Sequence, residues 1–86
     1  MQLARYVKFR AEQFGGVLFE TQTEKVYTLN APAAAVIREI LAGAKEEQIP
    51  ARLKAQFQGP EEQIEREVRA LIDDLRQKGL VGDGPG

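Results

Sequence analysis

Hydrophobic and polar positions change their period once along this chain, close to Asn30. Before that point the apolar residues alternate or form short runs; after it they recur every three or four residues. Tyr6-Val7-Lys8-Phe9-Arg10 alternates weakly and predicts a first strand. Phe14-Gly15-Gly16 has the composition of a turn leading into a second strand, Val17-Leu18-Phe19-Glu20-Thr21. The polar run Gln22-Thr23-Glu24 predicts another turn, and Lys25-Val26-Tyr27-Thr28-Leu29-Asn30 a third strand. Along that strand Tyr27 and Leu29 share one face while Val26 and Thr28 share the other. Leu29 abuts the helical patterning, which favours burial of the Tyr27–Leu29 face.

Asn30-Ala31-Pro32 reads as a helix start: Asn30 can cap free backbone amides, and proline fits the first turn. A first helix is expected over Ala33–Leu41, with Val36, Ile37, Ile40 and Leu41 on its apolar side and Gly43 ending it. Ile49, Leu53 and Phe57 repeat every four residues and predict a second helix over about Glu46–Phe57, with Pro50 near its start. Gly59-Pro60 breaks the pattern. The last helix is expected over Glu61–Lys78, with Ile64, Val68, Leu71, Ile72 and Leu75 as its core stripe. Its acidic first turn, its basic last turn and Gly79 suit the helix dipole and a glycine cap. Leu80-Val81 is expected to pack back onto the core. The expected fold class is therefore α+β: a three-stranded antiparallel sheet followed by three helices, winged-helix-like. It forms one domain over residues 1–81, with a flexible tail over 82–86.

Composition narrows the chemistry. Eighty-six residues make one small core, with Phe9, Phe14, Phe19, Tyr27 and Phe57 as its large candidates. Phe14 and Phe19 read as core or turn anchors rather than ligand contacts. Cysteine and histidine are both lacking, so disulfides, thiolate chemistry and an ordinary zinc site are excluded, and the setting expected is the cytoplasm. No stretch resembles a secretory or membrane-spanning segment. Residues 1–42 carry five basic and four acidic side chains and residues 43–86 seven and nine, so neither half is the cationic surface that DNA affinity requires. Glu46-Glu47, Glu61-Glu62 and Asp73-Asp74 are adjacent carboxylates pointing to different helix azimuths, with no general-base or metal partner. Gly15-Gly16 is too short to cradle phosphate. No enzymatic activity, cofactor or metal is expected. What remains is a strand edge that nothing in the chain obviously covers, and such an edge recruits peptides by backbone pairing.

The chain resembles the PqqD-like family of peptide-recognition domains. The resemblance runs from about Val7 to Val81 and is carried by four segments. These are Phe14–Phe19, Lys25–Asn30, Ala33–Ile37 and the final Ile64–Val81, which ends in Leu75-Arg76-Gln77-Lys78-Gly79-Leu80. It implies a non-catalytic peptide chaperone that holds the leader of a ribosomally made precursor peptide. The leader is then presented to a modifying enzyme, often a radical S-adenosylmethionine protein. It also implies that the leader adds to the edge of the third strand beside the third helix. Carried onto this chain, the contacts are Lys25, Val26, Tyr27, Thr28 and Leu29 on the strand, and the outer side of Glu65 to Arg76 on the helix.

Each candidate also has a plain structural role. Lys25, Val26 and Thr28 either pair with a peptide or form a solvated edge that Lys25 protects from aggregation. Arg66, Arg69, Asp73 and Arg76 either meet leader charges or make surface pairs such as Glu62–Arg66 and Arg69–Asp73. Ile72 lines an apolar pocket or simply packs in the core. Two other functions fit the pattern. One is a winged-helix nucleic-acid module reading through Arg52-Leu53-Lys54, weakened by the acidic Glu46 and Glu47. The other is a structural homodimer joined through the strand edge.

Overall fold

The computed structural model describes residues 1–82. The change of period at Asn30 is the boundary between a sheet and a helical layer. A short strand β1 (Gln2–Leu3) precedes β2 (Val7–Glu12), β3 (Gly15–Glu20) and β4 (Lys25–Asn30). Then come α1 (Ala31–Leu41), a 3-10 turn (Glu46–Gln48), α2 (Ile49–Gln56), α3 (Glu61–Gln77) and β5 (Val81–Gly82). The main sheet is antiparallel in the order β2-β3-β4, as expected, and this leaves β4 at an edge. Its register pairs Phe9 with Leu18 and Leu18 with Tyr27, so these three side chains share the face toward the helices.

Leu18, Leu29, Ala34, Val36, Ile37, Ile40, Ile49, Leu53, Val68, Ile72, Leu75 and Leu80 are buried in one continuous core. The alanines of α1 let it lie close on the sheet, as Ala34 and Ala35 are almost fully buried. Asn30 caps α1 as predicted, its Oδ1 accepting from the Ala33 N–H at 2.9 Å. Both α1 and α3 end in the same reversed-turn pattern. Ala44 N–H donates to Glu39 O at 3.0 Å, and Leu80 N–H donates to Leu75 O at 2.9 Å. Gly79 carries the positive φ of 74° that this ending needs.

Several expectations change. Gly15 and Gly16 are not the turn but the first residues of β3, because the chain reverses one step earlier at Gln13-Phe14. Gly15 has φ 149°, and a Cβ there would lie 2.2 Å from the Leu29 carbonyl oxygen, so the glycine permits close approach of β3 to β4. Leu41 is exposed: it shares the Ala34–Ile37 side of α1, but it is the last residue of the helix and the packing on that side does not extend over it. Phe14 is exposed at the hairpin tip, and Phe19 lies outside the core, with the Arg10 guanidinium 5.3 Å from its ring centroid. The start of the second helix is 3-10, and α-helical geometry begins at Ile49. Leu80 and Val81 do pack back, but Val81 also pairs with Leu3, and Gly82 with Gln2, in a two-stranded sheet that joins the chain ends. Residues 83–86 of the expected flexible tail lie outside the described residues; Gly82 belongs to β5. Among the described residues no helix is long and apolar enough to cross a membrane.

Candidate functional site

The pleat of β4 divides its side chains between two environments. Leu29 is buried and Tyr27 half-buried on the core side, whereas Lys25, Val26 and Thr28 are exposed. Val26, 59% exposed, is one of three large apolar side chains left open to solvent among the described residues. β3 pairs with one side of β4, and among the described residues no strand pairs with the opposite backbone edge, which runs for six residues, about 20 Å of strand.

Beside this edge lies a cleft of about 200 Å³, with β4 as one wall and the C-terminal half of α3 as the other. Leu18, Leu75 and Leu80 form its floor; Leu71, Asp74 and Lys78 rise on the helix side, and Tyr27, Thr28 and Leu29 on the strand side. Lys78 spans the gap. Its ammonium pairs with Asp74 one turn earlier and sits 5.9 Å from the Tyr27 ring centroid. At the start of β4 the Thr21–Glu24 turn is held by Glu20, whose carboxylate accepts from the Thr23 hydroxyl and from the N–H groups of Gln22 (2.6 Å) and Thr23 (3.1 Å). The Thr23 hydroxyl first, then these amides and the Lys25 charge, hold the Glu20 carboxyl below the usual carboxylate range against its desolvation.

The helix candidates named from sequence do not gather in this cleft. An α-helix turns about 100° per residue, so Arg66, Arg69, Asp73 and Arg76 stand roughly 140–160° around α3 from Leu71, and Glu65 about 120°. Glu65, Arg69, Ile72 and Asp73 line a different recess, of about 420 Å³, between α3 and α2. There Arg69 donates to Glu65 at 2.7 Å rather than pairing with Asp73, and Lys54 lies 3.9 Å from Glu65. Arg76 reaches across to Glu46, holding the 3-10 turn against α3. Ile72, 1% exposed, packs in the core beneath that recess, and Arg66 is exposed. Of the strand candidates, Tyr27, Thr28 and Leu29 face a helix surface made of Leu71, Asp74, Leu75 and Lys78, whereas Val26 lies outside this cleft and Lys25 lines a separate recess with Phe19, Glu20, Thr21 and Glu24. The sequence contains a faint signal for that surface: Leu71, Asp74 and Lys78 follow helical spacing on the flank of the apolar stripe opposite to Arg69 and Arg76.

Comparison with solved structures finds the same fold elsewhere. The structure described as TbiB1 in complex with the TbiA(beta) leader peptide superposes with a TM-score of 0.86 at 21% identity, covering 100% of both chains. The structure described as lasso peptide synthetase B1 complexed with the leader peptide gives a TM-score of 0.79 at 22% identity, covering 92% of this chain and 93% of that one. At such identities the likeness shows a shared fold. No curated protein sequence matches the chain. The family model described as coenzyme PQQ synthesis protein D (PqqD) matches residues 15–81, from the first residue of β3 to the first of β5. The chain belongs to the PqqD family.

Proposed function

We propose that this protein is a non-catalytic chaperone for the leader segment of a ribosomally made precursor peptide. The observation that carries the reading is the free backbone edge of β4 facing a cleft on α3. A leader laid along that edge gains hydrogen bonds from backbone groups, which tolerate many sequences. Its alternate side chains point into the cleft toward Leu71 and Leu75, and these set register and choice. Two relatives of the same fold are described with leader peptides bound, which supports the same occupant here.

Lys25–Leu29 supply the strand, and Leu71, Asp74, Leu75 and Lys78 the opposite wall. Glu65, Arg69, Asp73 and Arg76 serve as supports for the α2–α3 side, with Ile72 as core and Arg66 exposed. Holding the leader raises the effective concentration of the attached precursor at a modifying enzyme in the cytoplasm. A radical S-adenosylmethionine protein is the enzyme class that the family resemblance implies. One fold relative is named as part of a lasso peptide synthetase, which favours a synthetase-type enzyme as the second reading.

Titration of the ¹⁵N-labelled protein with the leader of its precursor tests the proposal. Amide shifts confined to residues 25–29 and 71–78 are expected; saturating leader without them sinks it. The same edge in a second copy would give a homodimer, and sedimentation across concentration, with and without peptide, separates that outcome.

A further inference from the structure

The far wall of the β4 cleft is held in place from a distance. α3 packs mainly on α2 rather than on β4, and its C-terminal half meets the sheet across the shared floor of Leu18, Leu75 and Leu80. Apolar packing on that floor is non-directional, so it keeps the walls together without fixing their spacing.

A directional tie comes from the N-terminal segment. Gln2 and Leu3 pair with Gly82 and Val81, and the Ala4 N–H donates to the Leu80 carbonyl at 2.9 Å. The Tyr6 hydroxyl donates to the Gly79 carbonyl, also at 2.9 Å. Gly79 lies between Lys78 and Leu80, which both line the cleft. The same segment is fixed to the strand wall as well. The Tyr6 carbonyl accepts from the Thr21 N–H and from the Thr21 hydroxyl, each at 2.9 Å, and Thr21 opens the turn that leads into β4. Tyr6 is thus bonded through its hydroxyl to the end of one wall and through its carbonyl to the approach to the other.

Strand addition needs one particular width. The peptide backbone must lie about 4.8 Å from β4 while its inward side chains still reach α3. We propose, on the cleft reading given above, that residues 2–6 are a strap that presets this width, and that Tyr6 is a positioning residue for peptide binding. Tyr6 lies outside the cleft lining and acts through Gly79, by holding the end of α3. Without its hydroxyl bond, only a fraction of the free molecules has the competent width, and the apparent Kd rises by the inverse of that fraction. Linkage requires the converse: a bound peptide holds the strap closed.

Both directions are measurable. Random 16-residue peptides displayed on phage are panned against the full-length protein, and a binder that shifts the amides of 25–29 is synthesised. In wild type, saturating peptide should slow hydrogen exchange of the Ala4 amide at least about threefold. The Phe57 amide, which closes α2 on Leu53 away from the cleft, should keep its rate. Fluorescence anisotropy then compares wild type with Tyr6→Phe, which keeps the ring and removes only the hydroxyl. Gln56→Ala is the control, because it removes a hydrogen bond of 3.1 Å to Glu39 on the α1–α2 side. Tyr6→Phe should weaken binding about threefold, and Gln56→Ala less than about 1.5-fold. Circular dichroism checks that each variant is folded, and the Ala4 readout in wild type holds even if Tyr6→Phe is not.

Unchanged Ala4 exchange with a peptide that shifts 25–29, or Tyr6→Phe binding equal to wild type, overturns the strap and leaves the strand-edge reading intact. Equal weakening by Tyr6→Phe and Gln56→Ala reports lost stability alone and overturns it too. Panning that enriches no peptide, or only peptides leaving 25–29 unperturbed, overturns the cleft reading and this proposal with it.

Discussion

Two residues of α3 two positions apart, Arg69 and Leu71, separate the strand-facing side of the helix from the α2-facing side. Leu71 is half-buried at the head of the cleft, and Arg69 is exposed and paired with Glu65. Leu71→Ala removes three carbons, about half of which the core already covers. A peptide covering the remainder therefore loses about 1.2 kcal/mol at about 0.8 kcal/mol per carbon, or roughly eightfold in Kd. Arg69→Ala removes an exposed i,i+4 pair, which costs up to about 1 kcal/mol of stability and changes peptide affinity less than about twofold. Fluorescence anisotropy with a labelled panned peptide measures both, after thermal melts confirm that each variant is folded at the assay temperature. If Arg69→Ala weakens binding more than Leu71→Ala, the peptide lies on the α2 side and the assignment of the cleft is refuted.

Three further outcomes follow from the packing. Ile72→Ala hollows a site with 1% exposure, so stability falls by about 2–5 kcal/mol and the urea midpoint by about 2 M or more. Equal stability with lost binding would instead make Ile72 a ligand contact. Glu20 has its carboxyl held below the ordinary value of 4.5 in the fold, so its contribution is fully present above that pH and is lost as pH falls through the depressed value. Melting temperatures of wild type should therefore drop more steeply below pH 4.5 than those of Glu20→Gln, and parallel curves would contradict the assignment. Gly15→Ala places a Cβ 2.2 Å from Leu29 O at φ 149°, so it should cost at least about 1–3 kcal/mol in chemical denaturation and disturb the β4 amides; a neutral effect would show that the hairpin yields there easily.

Much of the fold was legible because local chemistry and burial agree. Lys25–Asn30 holds the strand-favouring run Val26-Tyr27-Thr28 after a polar turn, Asn30 and Pro32 mark the helix start, and Gly79 marks the helix end, each with a local mechanism. The β1–β5 pair was not legible. Gln2-Leu3 and Val81-Gly82 are two residues each and meet only because the chain ends converge, and no periodicity exists at that length. The exposure of Leu41 escaped for a similar reason: a helix period tells which residues share a side, not how far the neighbours extend over it.

The site was half legible. An edge strand could be read from the order of elements, since nothing after β4 patterns as a fourth strand of its sheet. The helix wall could not, because the apolar stripe of α3 has two polar flanks. Glu65, Arg69 and Arg76 border it on one side; Glu67, Asp74 and Lys78 border it on the other. Both flanks offer mixed charges at helical spacing, and only the placement of α2 decides which one is left facing the sheet. The family resemblance pointed to the helix but not to its azimuth.

The central claim is that a peptide becomes the next strand at β4. Backbone hydrogen exchange, read residue by residue with and without a saturating panned peptide, tests it most directly. The account predicts that outward-facing amides among Lys25–Asn30 slow at least about tenfold, the protection expected of new ladder hydrogen bonds, while the opposite edge at Val7–Glu12 stays unchanged. Unchanged exchange along β4, or protection at β2 instead, would contradict it.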